Sequence, residues 1–236
     1  MNTSLRPSSA TTAAKIIQLR TLLEPFQAPL VARPQRHLPS GVPVLDTALQ
    51  GGLWKGGLIE LVASAPTCGS ASLLCAMVRQ AAQRQQWVGF IDGADSFDPQ
   101  TLAGTSATRL LWIRCHTVSQ ALQSADLLLR DGNLPLVFLD LHRCAEHDLR
   151  RTPSHTWYRL QRMLEPTATA FVACTPCALI PCADARLLLQ ARFTLASLSQ
   201  ETPALLRKLS LHLVRQRSGW GAADEPFTPA LAQAAG

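Results

Sequence analysis

The chain has 236 residues, 47% of them hydrophobic, 16% charged and 6% aromatic, with a formal net charge of +6. That length bounds one or two domains, and the apolar share excludes a disordered, low-complexity or coiled-coil chain, because enough apolar surface exists to offset the ordering entropy. The cation excess is nearly all arginine, with lysine only at Lys15, Lys55 and Lys208, which makes nucleic acid or an acidic protein surface the leading partner classes.

Residues 1–10 are polar, and 1–22 lack the basic stretch and apolar core of a secretory signal. Ala13, Ile16, Ile17, Leu19, Leu22 and Leu23 recur at helical spacing, and Glu24-Pro25 ends that helix. Four prolines in residues 25–40 mark an extended linker, so the boundaries expected are an amino-terminal helix and linker over 1–37, a core over 38–218 and an alanine-rich tail over 219–236. Within the core, Pro43 to Leu49 suggests a short helix, followed by turns at Gly51-Gly52 and Gly56-Gly57. Strands are expected at 58–63, 87–92, 110–114, 136–140 and 170–174, with a late strand over 209–215. Helices are expected at 72–86, 118–130, 156–164 and 183–190, with a turn at Asp131-Gly132-Asn133. Short apolar runs alternating with amphipathic helices indicate an α/β fold, a mostly parallel sheet covered on both faces. No run approaches the roughly 18 apolar residues of a membrane-spanning helix. Seven cysteines scattered through apolar segments fit a reducing cytoplasm better than a disulfide framework.

In a parallel α/β sheet the turn after the first strand is the usual phosphate cradle. Here it reads Ser64-Ala65-Pro66-Thr67-Cys68-Gly69-Ser70-Ala71. A phosphate-binding loop of the form G-x-x-x-x-G-K-S/T uses glycines to converge backbone N–H groups, a lysine on the outer oxygens and a hydroxyl on magnesium. Gly69 matches that template, whereas Ser64, Ser70 and Ala71 replace the first glycine, the lysine and the magnesium ligand. The alternative is an ordinary strand–helix turn that never held phosphate.

The stretch 38–61 (LPSGVPVLDTALQGGLWKGGLIEL), the segment FIDGADSFDP at 90–99, LVFLDL at 136–141 and RKLSLHLVRQRS at 207–218 together resemble the core of the RecA/RadA recombinase superfamily over roughly 38–218. Glu60–Leu74, LLWIRCH at 110–116, ADLLLRDG at 125–132 and RRTPSHTWYRLQRMLE at 150–165 look more specifically like the ImuA-type proteins. Those are RecA-like accessory factors of inducible, error-prone translesion synthesis. Division inhibitors of the SulA type share the same reduced core. The resemblance implies a RecA-like core in which Ala94 stands at the position of the glutamate that orients the attacking water. It leaves Gly69, Ser70, Ser72 and Asp140 as a nucleotide-binding remnant, Asp140 at the Walker B position. Asp95 is the nearby carboxylate able to substitute for the missing glutamate, while Asp98 is expected to cap the turn before Pro99. Loss of a positioned base typically costs about 10² to 10⁴ in rate, and loss of the charge clamp adds to it. The expectation is therefore no ATP turnover, no catalytic residue and no cofactor. Recombinases also use a long glycine-rich loop between the fifth core strand and the next helix. The corresponding interval here, Thr175 to Cys182, has two prolines and no glycine, too short to enter between stretched bases.

Other constellations are less specific. Cys174, Cys177 and Cys182 space as C-x2-C-x4-C but lack a fourth ligand, so no metal is expected. Arg143, Arg150, Arg151, Arg159 and Arg162, with Trp157 and Tyr158, suit single-stranded DNA, an acidic protein surface or plain solvation. On a helix, Trp157, Leu160 and Leu164 would face the core and Arg159 and Arg162 the solvent. Arg207, Lys208, Arg215 and Arg217 form a second basic set, read as edge-strand charge or a partner surface. His116, His142 and His155 lack a nucleophile pattern. The function these readings imply is a non-catalytic RecA-like adaptor in SOS-induced translesion synthesis, docking a polymerase-like mutasome subunit and the recombinase, without a membrane. The alternatives are an inhibitor of the tubulin-like division protein and a residual nucleotide-dependent DNA-binding protein.

Overall fold

The computed structural model describes residues 37–65, 69–102, 109–190, 193 and 202–217. The helix expected at 13–23, residues 25–36 of its proline-rich linker and the tail after 219 lie outside the described residues.

Five strands arise from the short apolar runs: β3 (Leu58–Val62), β4 (Val88–Asp92), β5 (Leu110–Arg114), β6 (Leu136–Asp140) and β7 (Ala170–Thr175). A two-residue pair, β1 (His37–Leu38) and β2 (Leu53–Trp54), precedes them, bracketing α1 (Pro43–Ala48). With β8 (Ala185–Gln190) and β9 (Ser210–Gln216) the main sheet has seven strands in the order β5-β4-β6-β7-β3-β8-β9. All neighbours run parallel except β8 and β9. The helices are α2 (Ser70–Gln83), α3 (Val118–Asp131), α4 (Glu146–Arg150), α5 (Ser154–Leu164) and α6 (Thr202–Arg207).

Alternation along the strands divides the interior in two. Ile59, Leu61, Phe90, Phe138 and Val172 pack with Leu45, Leu73 and Met77 of α1 and α2. Leu58, Ile91, Val137, Leu139 and Phe171 pack on the opposite face with Leu122, Leu129, Trp157 and Leu160 of α3 and α5. As the helical pattern predicts, Trp157, Leu160 and Leu164 are buried while Arg159 and Arg162 are exposed.

One element differs from its expected type. Residues 183–190 are expected to be helical, yet 185–190 form β8. Its burial alternates, with Ala185, Leu187 and Leu189 inside. The run Leu187-Leu188-Leu189 suits a helix locally, and pairing on both sides, parallel to β3 and antiparallel to β9, overrides that preference. Residues 176–184 therefore lead into a strand, not a helix. Since β7 and β8 are both parallel to β3, this connection returns from one edge of the sheet to the other across the β3 face.

That return path is held by Glu60, the one charged side chain in the middle of β3 and fully buried. Its Oε1 accepts from the N–H groups of Leu179 (2.7 Å) and Ile180 (3.0 Å) and the Thr175 hydroxyl (3.1 Å). Its Oε2 accepts from Arg186 Nε at 2.5 Å, and Arg186 also donates to the Ile180 carbonyl at 2.8 Å. At the far end Asp184 accepts the Leu58 N–H at 2.9 Å. A single carboxylate thus replaces the ladder bonds that an extended segment outside the sheet cannot make.

Candidate functional site

The carboxyl ends of β3, β4 and β6 bring together the segments that the sequence singles out. The strand β3 leads through Ser64 and Ala65, both exposed, to Gly69, which starts α2 in the left-handed region (φ 89°). No side chain caps this helix start. Ser70 is buried and Ser72 half-buried. The space above Gly69 is occupied: a Cβ there would lie 2.5 Å from Leu209 Cδ2 and 2.9 Å from Phe193 Cε2. An apolar cover formed by residues from either side of α6 thus lies against the glycine of the would-be phosphate cradle.

Asp92 and Asp140 end adjacent strands in register, β4 beside β6. Asp92, 1% exposed, folds the following turn onto itself, accepting from Ser96 N at 3.0 Å and Phe97 N at 2.9 Å. Asp140 accepts the His142 N–H at 2.9 Å. Its carboxyl is pushed up to about 6, by burial first and by the neighbouring Asp92 charge second, with the His142 N–H and Arg143 opposing. Gly93 fits between the two strands because a Cβ would stand 2.7 Å from the Asp140 carbonyl oxygen. His142 sits under the loop after β3. Burial lowers its pKa, and hydrogen bonding to the Ala65 and Ala63 carbonyls opposes that shift. Cys144, beside both aspartates, has its thiol pushed up to about 12 by burial and the surrounding carboxylates.

The remaining candidates separate. Ala94 presents no functional group. Asp95 turns to the sheet edge, where Arg114 holds it through two contacts of 2.5 and 2.9 Å, and that guanidinium lowers its pKa. Asp98 caps the turn as expected, accepting Gln100 N at 2.9 Å. Arg150 pairs with Glu146, and Arg159 lies 3.1 Å from Asp126. Arg151 and Arg162 make no ion pair among the described residues. The second basic set does not form one patch. Because β9 is antiparallel to β8, Arg207 and Lys208 lie near the edge where the parallel strands end. Arg215 and Arg217 lie at the opposite edge, where Arg215 donates to the Pro181 carbonyl at 2.7 Å and Arg217 reaches Asp184 at 3.4 Å. Among the described residues no group of three or more His, Cys, Asp or Glu side chains comes together to hold a metal, and no helix is long and apolar enough to cross a membrane.

Sequence reasoning missed Glu60 as a structural centre and the cover over Gly69. The signal for the first was present: a lone acid inside the apolar run LIELV, with Arg186 alone among the leucines of β8. The second had no local signal, since Phe193 and Leu209 are distant from Gly69 in the chain.

Comparison with known proteins gives one consistent result. Over 106 residues the chain is 33% identical to Protein RecA of Francisella philomiragia subsp. philomiragia, a match covering 44% of this chain and 29% of that protein. Protein RecA of Francisella tularensis subsp. novicida and of subsp. tularensis match at 32% identity with the same coverage. The match spans less than a third of the length of these curated relatives. No family model matches the chain. This distant homology and the seven-stranded, mostly parallel sheet agree on a RecA-like α/β core.

Proposed function

We propose that the chain is a RecA-like adaptor that neither turns over nucleotide nor depends on it, and that it serves in SOS-induced, error-prone translesion synthesis by docking a polymerase-like partner and the recombinase. The observation that carries the reading is the β3–α2 turn, where Ser70 and Ala71 follow Gly69 and the apolar side chains of Leu209 and Phe193 pack against that glycine. Phosphate binding at such a turn relies on N–H groups open to the ligand and on a positive charge. Ser70 and Ala71 supply neither the cation nor the metal-binding hydroxyl, and Ala94 supplies no base. A fold that has lost these groups keeps a rigid surface, and docking is the use that remains for it. The ImuA-type motifs at 110–116 and 150–165 direct the proposal to translesion synthesis in particular.

Two measurements test it with the purified full chain. ATP binding and hydrolysis, with and without single-stranded DNA, are expected at background. Co-purification with the polymerase-like subunit and with the recombinase is expected to recover a complex. ATP hydrolysis that Asp140→Ala abolishes would overturn the first half, and failure to bind either protein would overturn the second. Cell filamentation on expression would move the assignment to the division inhibitors.

A further inference from the structure

On the α3/α5 side of the sheet, beyond the ends of β4, β5 and β6, lies an open cleft of about 780 Å³. Gly93, Ala94 and Cys144 of the candidate site line one side of it, and no described residue of the β3–α2 turn does. Its volume is in the range of ligand sites in proteins. Arg143, Arg151 and Arg159 line it, and Val118, Leu122 and Pro153 contribute apolar surface among them. Against three arginines stands one lining carboxylate, Asp148, which lies 2.9 Å from the His147 ring.

The three cations differ in commitment. Arg159 lies 3.1 Å from Asp126, which also holds Arg130 at 2.8 Å, so a single carboxylate serves two guanidinium groups. Arg143 and Arg151 are exposed and make no ion pair among the described residues. Arg143 lies on the loop after β6, and Arg151 caps the carboxyl end of α4. Two exposed guanidinium groups lining one cleft together with apolar surface match a ligand that alternates carboxylates with apolar side chains. Arginine binds carboxylates through paired N–H groups, and the apolar surface adds area-dependent attraction. Single-stranded nucleic acid is a poorer match. It binds by combining backbone cations with aromatic stacking platforms, and no Phe, Tyr or Trp lines this cleft.

We propose that this cleft docks an acidic, partly apolar peptide segment of a protein partner, with its carboxylates on Arg143 and Arg151 and its apolar side chains on Val118, Leu122 and Pro153. The proposal rests on the docking function above and specifies the chemistry that one partner must present.

The test is a fluorescence-anisotropy titration of the full chain with a short labelled peptide of glutamate and leucine. A lysine–leucine peptide of equal length and a labelled oligothymidylate serve as comparisons. Saturable binding of the acidic peptide alone is expected. The exposed double variant Arg143→Glu/Arg151→Glu should weaken it by about tenfold or more, with an unchanged circular dichroism spectrum. Arg207→Glu/Lys208→Glu, outside the cleft, should leave it within about twofold. No saturable binding to the wild type, or equal affinity in the cleft variant, would overturn the proposal. Tighter binding of the oligothymidylate, lost in the same variant, would assign the cleft to nucleic acid instead. Failure here with the polymerase-like subunit still co-purifying would remove only the cleft, whereas ATP turnover would remove the non-catalytic reading and leave the titration intact.

Discussion

Replacing Glu60 by alanine should be among the most damaging single changes available in this fold. The side chain is fully buried, and it accepts from two backbone N–H groups, one hydroxyl and the Arg186 guanidinium, whose side chain is only 18% exposed. Removing one member of a buried ion pair typically costs about 3–5 kcal/mol, because the other charge is left without a partner. For a chain of this size each kcal/mol lowers the melting temperature by about 2–4 °C, so a drop of roughly 6–20 °C is expected. Glu60→Gln keeps an acceptor for Leu179 and Ile180 while deleting the charge, and it should fall between alanine and wild type. Glu60→Leu/Arg186→Leu removes both charges. The double variant should lose less stability than the two single leucine variants combined, by about 0.5–3 kcal/mol, the range of contacting pairs in double-mutant cycles. Thermal and urea unfolding of the wild type, Glu60→Ala, Glu60→Gln, the two single leucine variants and the double variant measures all of these. A shift below about 2 °C for Glu60→Ala, or strict additivity in the cycle, would refute the role assigned to this carboxylate in holding residues 176–184.

The Asp140 carboxyl, raised from its usual value to about 6, binds its proton more readily in the folded state. Its contribution is therefore fully present below about pH 4, declines as pH rises to about 6 and is flat above that. At about 1.4 kcal/mol per unit the whole effect is of order 3 kcal/mol. Asp140→Asn should then stabilise the protein near pH 8 and give no gain near pH 4, read by thermal unfolding across pH; equal shifts at both ends would contradict it. Gly69→Ala places a Cβ against Leu209 and Phe193 in a left-handed backbone conformation, and a loss of about 1–3 kcal/mol is expected. Adding Leu209→Ala should relieve part of that strain, whereas independent losses would argue against the cover. Cys144, with its thiol pushed up to about 12, should resist alkylation in the native protein near pH 8 and react once unfolded, as peptide mass mapping would record.

The five core strands were legible because each is a short apolar run bounded by turn residues, and in a parallel sheet such runs are buried on both faces. Strands β5 and β6 fall at the residues expected, 110–114 and 136–140. The strand β8 was not legible, because ADARLLLQ has good helix propensity and becomes a strand only through its two neighbours. The same limit applied to α4 and α6, helices of five and six residues, too short to show a periodic pattern. At the candidate site the residues that depart from the phosphate-loop template, Ser70 and Ala71, and Ala94 beyond them, were readable directly. The groups that fill the space were not, since contacts between Gly69, Phe193 and Leu209 are set by the tertiary fold.

The basic character of the chain gains meaning from this division. Arg114, Arg130, Arg150, Arg159, Arg186 and Arg217 are each held by a carboxylate. Most of these pairs are solvent-exposed and contribute little to stability, but each removes one guanidinium from the pool open to a partner. Arg186 is the exception, a buried component of the β3–β8 junction. Among the described residues Lys55, Arg84, Arg162, Arg207 and Lys208 also make no ion pair, and Arg143 and Arg151 are the two such cations that line one cleft beyond the ends of the parallel strands, where α/β folds place their ligands. What sets Arg143 and Arg151 apart from the rest of the basic surface is the apolar surface of Val118, Leu122 and Pro153 that shares their cleft.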